Sequence, residues 1–500
     1  MIAPIQDAFV QVFTLGPLTA ILFGTAFGIV IGALPGLGAV VGISICLPFT
    51  FGMPIIPSMS LLLGVYCGAV YGGSISAILI NSPGTPQSAA TTLDGYPMAM
   101  RGEAGLAIGW VTMSSTIGGL ISCVILIIGA PQISRFATNF GSVEIFALIV
   151  LALTCISSVS KGAMSKGLLM GVVGLMLSLI GTDPVTGVDR FTFGTVFLSG
   201  GLDLIAVVIG VFALSEAFTR ISVAQEPQHK MRTSGTRMVL PPASAWKGRG
   251  GILVRSSGIG CMIGALPGTG PATAAFVSYA LAKQSSKRGE NFGKGEPDGL
   301  ISCEAANNAV TGSAMIPTLA LGIPGDVVTA ILMSALVIQG ITPGVQLMAE
   351  NSAMVNAIFL ALILINIAML FLAFPLIRIF GALLSLPERL IMAGVFIFGI
   401  LGAITVRGNP LDAFTALVFG VIAMFLRAGR YPLAPLVIGL VLGPQFEQNL
   451  RRGLLIHDGD FLAFFTASWI ASLLFLVVLL VLLGPPLMAV LRARRQEIAY

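Results

Sequence analysis

The chain has 500 residues, 56% of them hydrophobic and only 9% charged, with 26 Lys and Arg against 21 Asp and Glu. Soluble domains carry roughly 25% charged residues, so this composition excludes a secreted disulfide scaffold, a coiled coil, a disordered hub and a nucleic-acid-binding domain. An all-α polytopic membrane protein remains, and its basic excess is the kind that gathers in cytoplasmic loops.

Cut at polar or Gly/Pro-rich breaks, the apolar segments fall at about 18–34, 38–49, 58–93, 104–130, 142–159, 167–181 and 202–219. They resume at about 253–267, 271–282, 299–340, 351–375, 390–406, 411–426, 432–446 and 461–491. Several approach the roughly 20 apolar residues that cross a bilayer. The N-terminus lacks a basic n-region and a small-residue cleavage site, so no removable signal peptide is expected.

Between the two sets, residues 220–255 hold Arg220, Lys230, Arg232, Arg237, Lys247, Arg249 and Arg255. The positive-inside rule places this linker in the cytoplasm. The loop 283–298, with Lys283, Lys287, Arg288 and Lys294, belongs on the same side. The two short apolar stretches between them meet at Pro267-Gly268-Thr269-Gly270-Pro271. They therefore read as a re-entrant hairpin, which is tolerated only where it is buried in protein or lines a wet cavity. The same logic along the chain gives about eleven crossings and two hairpins, with 21 of the 26 basic residues inside. The N-terminus is then periplasmic and the C-terminus cytoplasmic.

The first half returns in the second. Gly32-Ala33-Leu34-Pro35-Gly36-Leu37-Gly38 recurs as Gly264-Ala265-Leu266-Pro267-Gly268-Thr269-Gly270. Downstream, Gly73-Ser74 precedes Ser82-Pro83-Gly84, as Gly312-Ser313 precedes Ile323-Pro324-Gly325. The counterpart of the basic loop 283–298 is the uncharged stretch 49–58, so the halves should face opposite sides of the membrane. The expected organisation is a first repeat over 1–219, a cytoplasmic linker over 220–250, a second repeat over 251–446, and a final transmembrane helix with a basic tail over 447–500. Inverted repeats with paired interrupted segments point to a secondary transporter whose site lies near the midplane.

Chemistry of other kinds finds little support. The six cysteines are scattered in or beside apolar segments and read as small buried hydrophobes. Two histidines are too few for a His-based metal centre. No P-loop is present; Gly289 to Gly295 lacks the final hydroxyl residue and follows no strand. No catalytic residue, cofactor or structural metal is expected.

Tips and broken segments expose backbone groups inside the membrane. Free N–H groups at helix N-termini suit carboxylates, and freed carbonyls with nearby hydroxyls suit Na⁺. Candidate substrate ligands are Gly36, Gly38, Ser74, Asn81, Thr85, Gly268, Thr269, Gly270, Asn307, Asn308 and Ser313. Candidate coupling-ion positions are Gly36, Gly84, Thr269, Gly325, Asp326 and Glu304. Each has a plainer reading: Pro-Gly as mere helix punctuation, Ser, Thr and Asn as interhelical hydrogen-bonders, Glu304 as an interfacial cap. Asp326, after Pro324-Gly325, is placed either to cap a half-helix or to bind a cation. Asp94 is read as shaping a turn. The midplane is read as lacking a basic residue in either half, so co-transported cations or protons must balance an anionic substrate.

These motifs, with Tyr71-Gly-Gly-Ser74, Asn81-Ser-Pro-Gly84, Leu93-Asp-Gly-Tyr-Pro97, Glu304-Ala-Ala-Asn-Asn308 and Gly322-Ile-Pro-Gly325, resemble the large membrane subunit of the tripartite tricarboxylate transporter family over residues 15–445. The resemblance implies a bacterial inner-membrane carrier for citrate-like or other organic carboxylates, driven by a Na⁺ or H⁺ gradient. It also implies an elevator-type fold, a small four-helix membrane subunit and a periplasmic solute-binding protein. Association as a homo-oligomer stays open. The rival readings are a stand-alone carboxylate carrier, an anion channel and an intramembrane enzyme.

Overall fold

A computed structural model describes residues 3–159, 164–222, 237–383 and 387–498. Part of the basic linker, including Lys230 and Arg232, therefore lies outside the described residues. The first half contains α1 (Ala3–Val12), α2 (Leu15–Ala33), α3 (Gly38–Cys46), α4 (Ile55–Ile80) and α5 (Ala89–Met100). It continues through α6 (Ala104–Ala137), α7 (Ser142–Val159), α8 (Met164–Ser178) and α9 (Leu204–Ser222). The second half contains α10 (Gly250–Gly264), α11 (Gly270–Ser285), α12 (Pro297–Ser313), α13 (Met315–Leu321), α14 (Val327–Ile338) and α15 (Val345–Glu350). It ends with α16 (Ser352–Leu383), α17 (Glu388–Arg407), α18 (Pro410–Ala428), α19 (Ala434–Ile456) and α20 (Trp469–Ile498).

Among the described residues seven helices are long and apolar enough to cross a bilayer. The only strands among them are Gly181–Thr182 and Asp189–Arg190, paired antiparallel in a loop that the sequence reading left unassigned. The order hairpin, broken helix, long helix recurs in both halves. The hairpins differ, however: α2 and α3 have 19 and 9 residues, α10 and α11 have 15 and 16.

The chain divides into two compact units, each drawing on both halves. One comprises residues 1–134 and 205–425, the other 135–204 and 426–500. In the first, α2 and α4 press glycine rows into each other. A Cβ on Gly24, Gly28 or Gly32 would overlap the backbone of Leu61, Val65 or Ala69. One on Gly68 or Gly72 would overlap Thr25 O or Ile29 O. In lipid, where apolar burial gives little drive for helix association, such close backbone approach supplies the dispersion contacts instead. α4 becomes the innermost helix of its half, buried from Ser58 to Leu79. α12 is its counterpart, buried from Asp298 to Ser313.

The second unit packs α8 on α19 by the same device, Gly174 against Leu436 O and Gly439 against Gly171 O. Here α19 runs ten residues past the apolar segment predicted to end at 446. The extension is held by charge: Arg190 reaches Glu447 at 2.6 Å, and Arg451 reaches Asp183 at 3.0 Å and Glu447 at 2.7 Å. The hydrogen bonds from Arg451 hold the Asp183 carboxyl well below the usual carboxylate range.

The six cysteines are free, and five of them are buried, as their apolar surroundings implied.

Candidate functional site: two clamped tips and a buried carboxylate

Both hairpin tips and both helix breaks lie in the first unit. At the first tip, Gly36 has φ +83° and its N–H donates to Gly84 O at 3.2 Å. At the second, Gly268 has φ +86° and donates to Gly325 O at 2.6 Å. In each half the tip glycine is thus fastened to the glycine of the Pro-Gly break. A side chain at either tip would be strained, because L-residues avoid this left-handed region. The helices before the breaks stop alike, with Asn81 at φ 52° after α4 and Gly322 at φ 69° after α13. Both tip amides are engaged in this state, while each break carbonyl keeps a second lone pair that a cation can use.

Glu304, on α12, is fully buried. Its Oε1 accepts from Ser74 Oγ of α4 at 2.6 Å and from Thr91 Oγ1 of α5; its Oε2 accepts from Ser115 Oγ of α6 at 2.9 Å. No ion pair among the described residues includes it. It stands in the middle of α12, whose N-cap is Glu296, so it caps no helix end. A charge taken out of water among neutral hydroxyls has a large desolvation cost, so a bound cation or a proton is the natural companion of this carboxylate. One helical turn on, Asn308 is fully buried with neither Oδ1 nor Nδ2 partnered, and Asn307 Oδ1 is unpartnered as well. Asn307 Nδ2 reaches Val70 O at 3.5 Å. Buried amides left unpaired cost about 1–3 kcal/mol each, and the exceptions call for a ligand or water that completes them.

The remaining candidates sort by geometry. Ser74 joins Glu304 rather than a tip. Thr85 sits behind the first tip with its buried hydroxyl unpartnered, while Asn81 is exposed and ends α4. Thr269 Oγ1 donates to Ile263 O at 2.5 Å and Leu266 O at 3.1 Å, closing the end of α10. Ser313 Oγ bonds back to Ala309 O at 2.8 Å against Gly264. Gly38 and Gly270 open α3 and α11 with φ +62° and +68°.

Asp326 caps α14: its Oδ1 accepts from Thr329 N at 2.8 Å, and Thr329 returns a bond to the Asp326 N–H. Its Oδ2 accepts from Tyr66 OH of α4 at 2.6 Å, so of its two readings the cap is the one realised. Asp94 shapes a turn, but a distant one. Its Oδ1 accepts from the N–H groups of Gly293, Gly295 and Glu296, and its Oδ2 from Tyr279 OH.

Arg220, assigned to the linker by charge counting, ends α9, and a Cβ on Gly36 would overlap its Nη2. A guanidinium therefore lies at a tip. The segment-end position hid it, since a basic residue there reads as loop. Tyr66, Thr91 and Ser115 were missed for a different reason: single hydroxyls in apolar runs carry no spacing signal.

These features describe a multi-pass helical membrane protein with a polar site buried among its interrupted helices. The family model described as "Tripartite tricarboxylate transporter TctA family" matches residues 18–438. The chain belongs to that family. It is 36% identical over 482 residues to an Agrobacterium vitis protein described as an uncharacterized 52.8 kDa protein in the TAR-I ttuC' 3' region, covering 95% of this chain and 94% of that protein. A second Agrobacterium vitis protein, from the TAR-II ttuC' 3' region, is 36% identical over 240 residues, 48% of this chain and 98% of that protein. No solved structure matches.

Proposed function

We propose that the chain is the translocating subunit of a secondary importer for citrate-like di- and tricarboxylates or other organic carboxylates, driven by a Na⁺ or H⁺ gradient. A periplasmic solute-binding protein delivers the substrate, and a small four-helix subunit completes the assembly in the bacterial inner membrane. The two halves form inverted repeats, each with a re-entrant hairpin, that carry the substrate by an elevator-type movement. The observation that carries the reading is the buried Glu304 among three hydroxyls, one turn from the unpartnered Asn308. A channel calls for a continuous polar-lined pore, whereas a carrier uses such a carboxylate to bind and release a coupling ion.

Uptake of labelled citrate is measured in cells carrying the complete system, with Na⁺ and proton gradients collapsed separately and together at constant ATP. Loss of uptake when both are gone supports the carrier; uptake that follows ATP rejects it. Cysteines introduced at Ser244 and Ser286 are expected to react only from the cytoplasm, and reaction from opposite sides removes the second re-entrant hairpin.

A further inference from the structure

We propose that Arg220 is the fixed cation of the substrate site, that it engages one substrate carboxylate at the first hairpin tip, and that Glu216 holds it in the unloaded carrier. The inference rests on the carboxylate-carrier reading above.

Three observations converge on the tip. First, Arg220 lies directly against Gly36, at a position where any side chain would displace the guanidinium. Only glycine satisfies both the positive φ and this approach. Second, α3 begins two residues after Gly36, and no side chain caps its N-terminus. The end of α3 contributes a partial positive charge next to a full one, an arrangement favourable only when an anion lies close by. Third, an anion is already held there: Glu216 Oε1 accepts from Arg220 Nε at 2.6 Å. The Arg220 side chain is 25% exposed and that of Glu216 11%, so the guanidinium is the more accessible member of the pair.

The helix itself is built for this placement. Residues Ile209–Leu214 of α9 are π-helical, and Gly210 packs against Ala416. A π-helical stretch winds more residues into each turn and so rotates the helical face beyond it. Glu216 and Arg220 lie just past that stretch. Behind the tip, the methyl of Thr85 lies 3.7 Å from where a Cβ of Gly38 would sit, and the hydroxyl of Thr85 is buried and unpartnered. A planar guanidinium matches a carboxylate through two parallel hydrogen bonds, so the chemistry selects carboxylates over neutral polyols and amides. Exchange of Glu216 for substrate carboxylate keeps an anion on the Arg220 Nε in both states.

The competing account is structural: the guanidinium merely steadies the C-terminal end of α2, where a partial negative charge accumulates. The two accounts separate on binding. Purified full-length chain in lipid nanodiscs is titrated with citrate, and the midpoint of thermal stabilisation is recorded. Arg220→Gln is expected to raise that midpoint about 10-fold or more, the loss typical of a hydrogen-bonded charge partner. Glu216→Gln is expected to lower it about threefold or more, because a competitor is removed. Unchanged midpoints in both variants overturn the inference while the carrier reading stands. If Arg220→Gln does not insert, Glu216→Gln decides alone, and an unchanged or raised midpoint overturns the proposal. Wild-type chain that no organic carboxylate stabilises contradicts the carrier reading itself.

Discussion

The two hairpin tips are fastened alike and furnished differently. Each tip glycine donates to the glycine carbonyl of its own Pro-Gly break. The first tip, however, meets a guanidinium, whereas at the second the Thr269 hydroxyl is spent on the Ile263 and Leu266 carbonyls. The second break is further braced by the Asp326 cap and the Tyr66 phenol, while Thr85 at the first is left with an idle hydroxyl. Repeated backbone geometry thus provides the frame, and side chains that break the repeat divide the work. On the proposal above, the first tip takes the anion and the second supplies rigidity.

Exchanging the tip glycines tests that division most strongly. Gly36→Ala and Gly268→Ala both place Cβ in a left-handed conformation, at about 1–2 kcal/mol each, so similar falls in thermal stability are expected. Only Gly36→Ala also displaces Arg220. Citrate stabilisation should weaken about 10-fold or more in that variant and hold nearly steady in Gly268→Ala. Equal loss of citrate binding in both would mean that the tips share the substrate.

A smaller effect is expected at the second break. Asp326→Ala removes the cap of α14 and strands the Tyr66 hydroxyl, costing about 0.5–2 kcal/mol for the cap alone. Asp326→Asn keeps a good capping side chain and should retain both stability and cation dependence. Uptake in Asp326→Asn that no longer responds to Na⁺ or protons, with stability intact, would return this residue to the coupling site.

The smallest effect lies outside both tips and serves as a control. The Arg451 guanidinium lowers the Asp183 pKa in the folded chain. The stabilisation from Asp183 is therefore full above its ordinary value of 3.8 and is lost as pH falls through the lower folded value. Thermal melts should show the advantage of wild type over Asp183→Asn constant from neutral pH down to the ordinary value and shrinking below it. An advantage that instead shrinks as pH rises would refute the pairing. Citrate uptake at neutral pH should stay unchanged in this variant.

The frame was legible in the sequence because it is written in motifs. Gly-Ala-Leu-Pro-Gly twice and Pro-Gly twice located both tips and both breaks, and the Glu304-Ala-Ala-Asn-Asn308 run located the buried carboxylate and the orphaned amides. Interhelical partners were less legible. The glycines at 24, 28 and 32 and at 64, 68 and 72 recur at the four-residue spacing that marks a packing face, a signal available but unread. Arg220 was misplaced because charge counting treats every basic side chain at a segment end as solvated. α19 was cut short at 446 because hydropathy cannot register that Glu447 and Arg451 are paired with Arg190 and Asp183. The bonds from Thr269 to the Ile263 and Leu266 carbonyls were not legible, because sequence does not show which carbonyls a hydroxyl will meet.

The central claim is that Glu304 couples a cation to carboxylate movement. Its most direct test compares wild type with Glu304→Gln in proteoliposomes holding the assembled system. Citrate exchange across the bilayer is measured without gradients, and citrate accumulation under an imposed Na⁺ or proton gradient. The substitution keeps the shape and leaves acceptors for Ser74, Thr91 and Ser115, but removes the charge. Exchange that persists while gradient-driven accumulation is lost is the predicted result. Accumulation at the wild-type level in Glu304→Gln would contradict it.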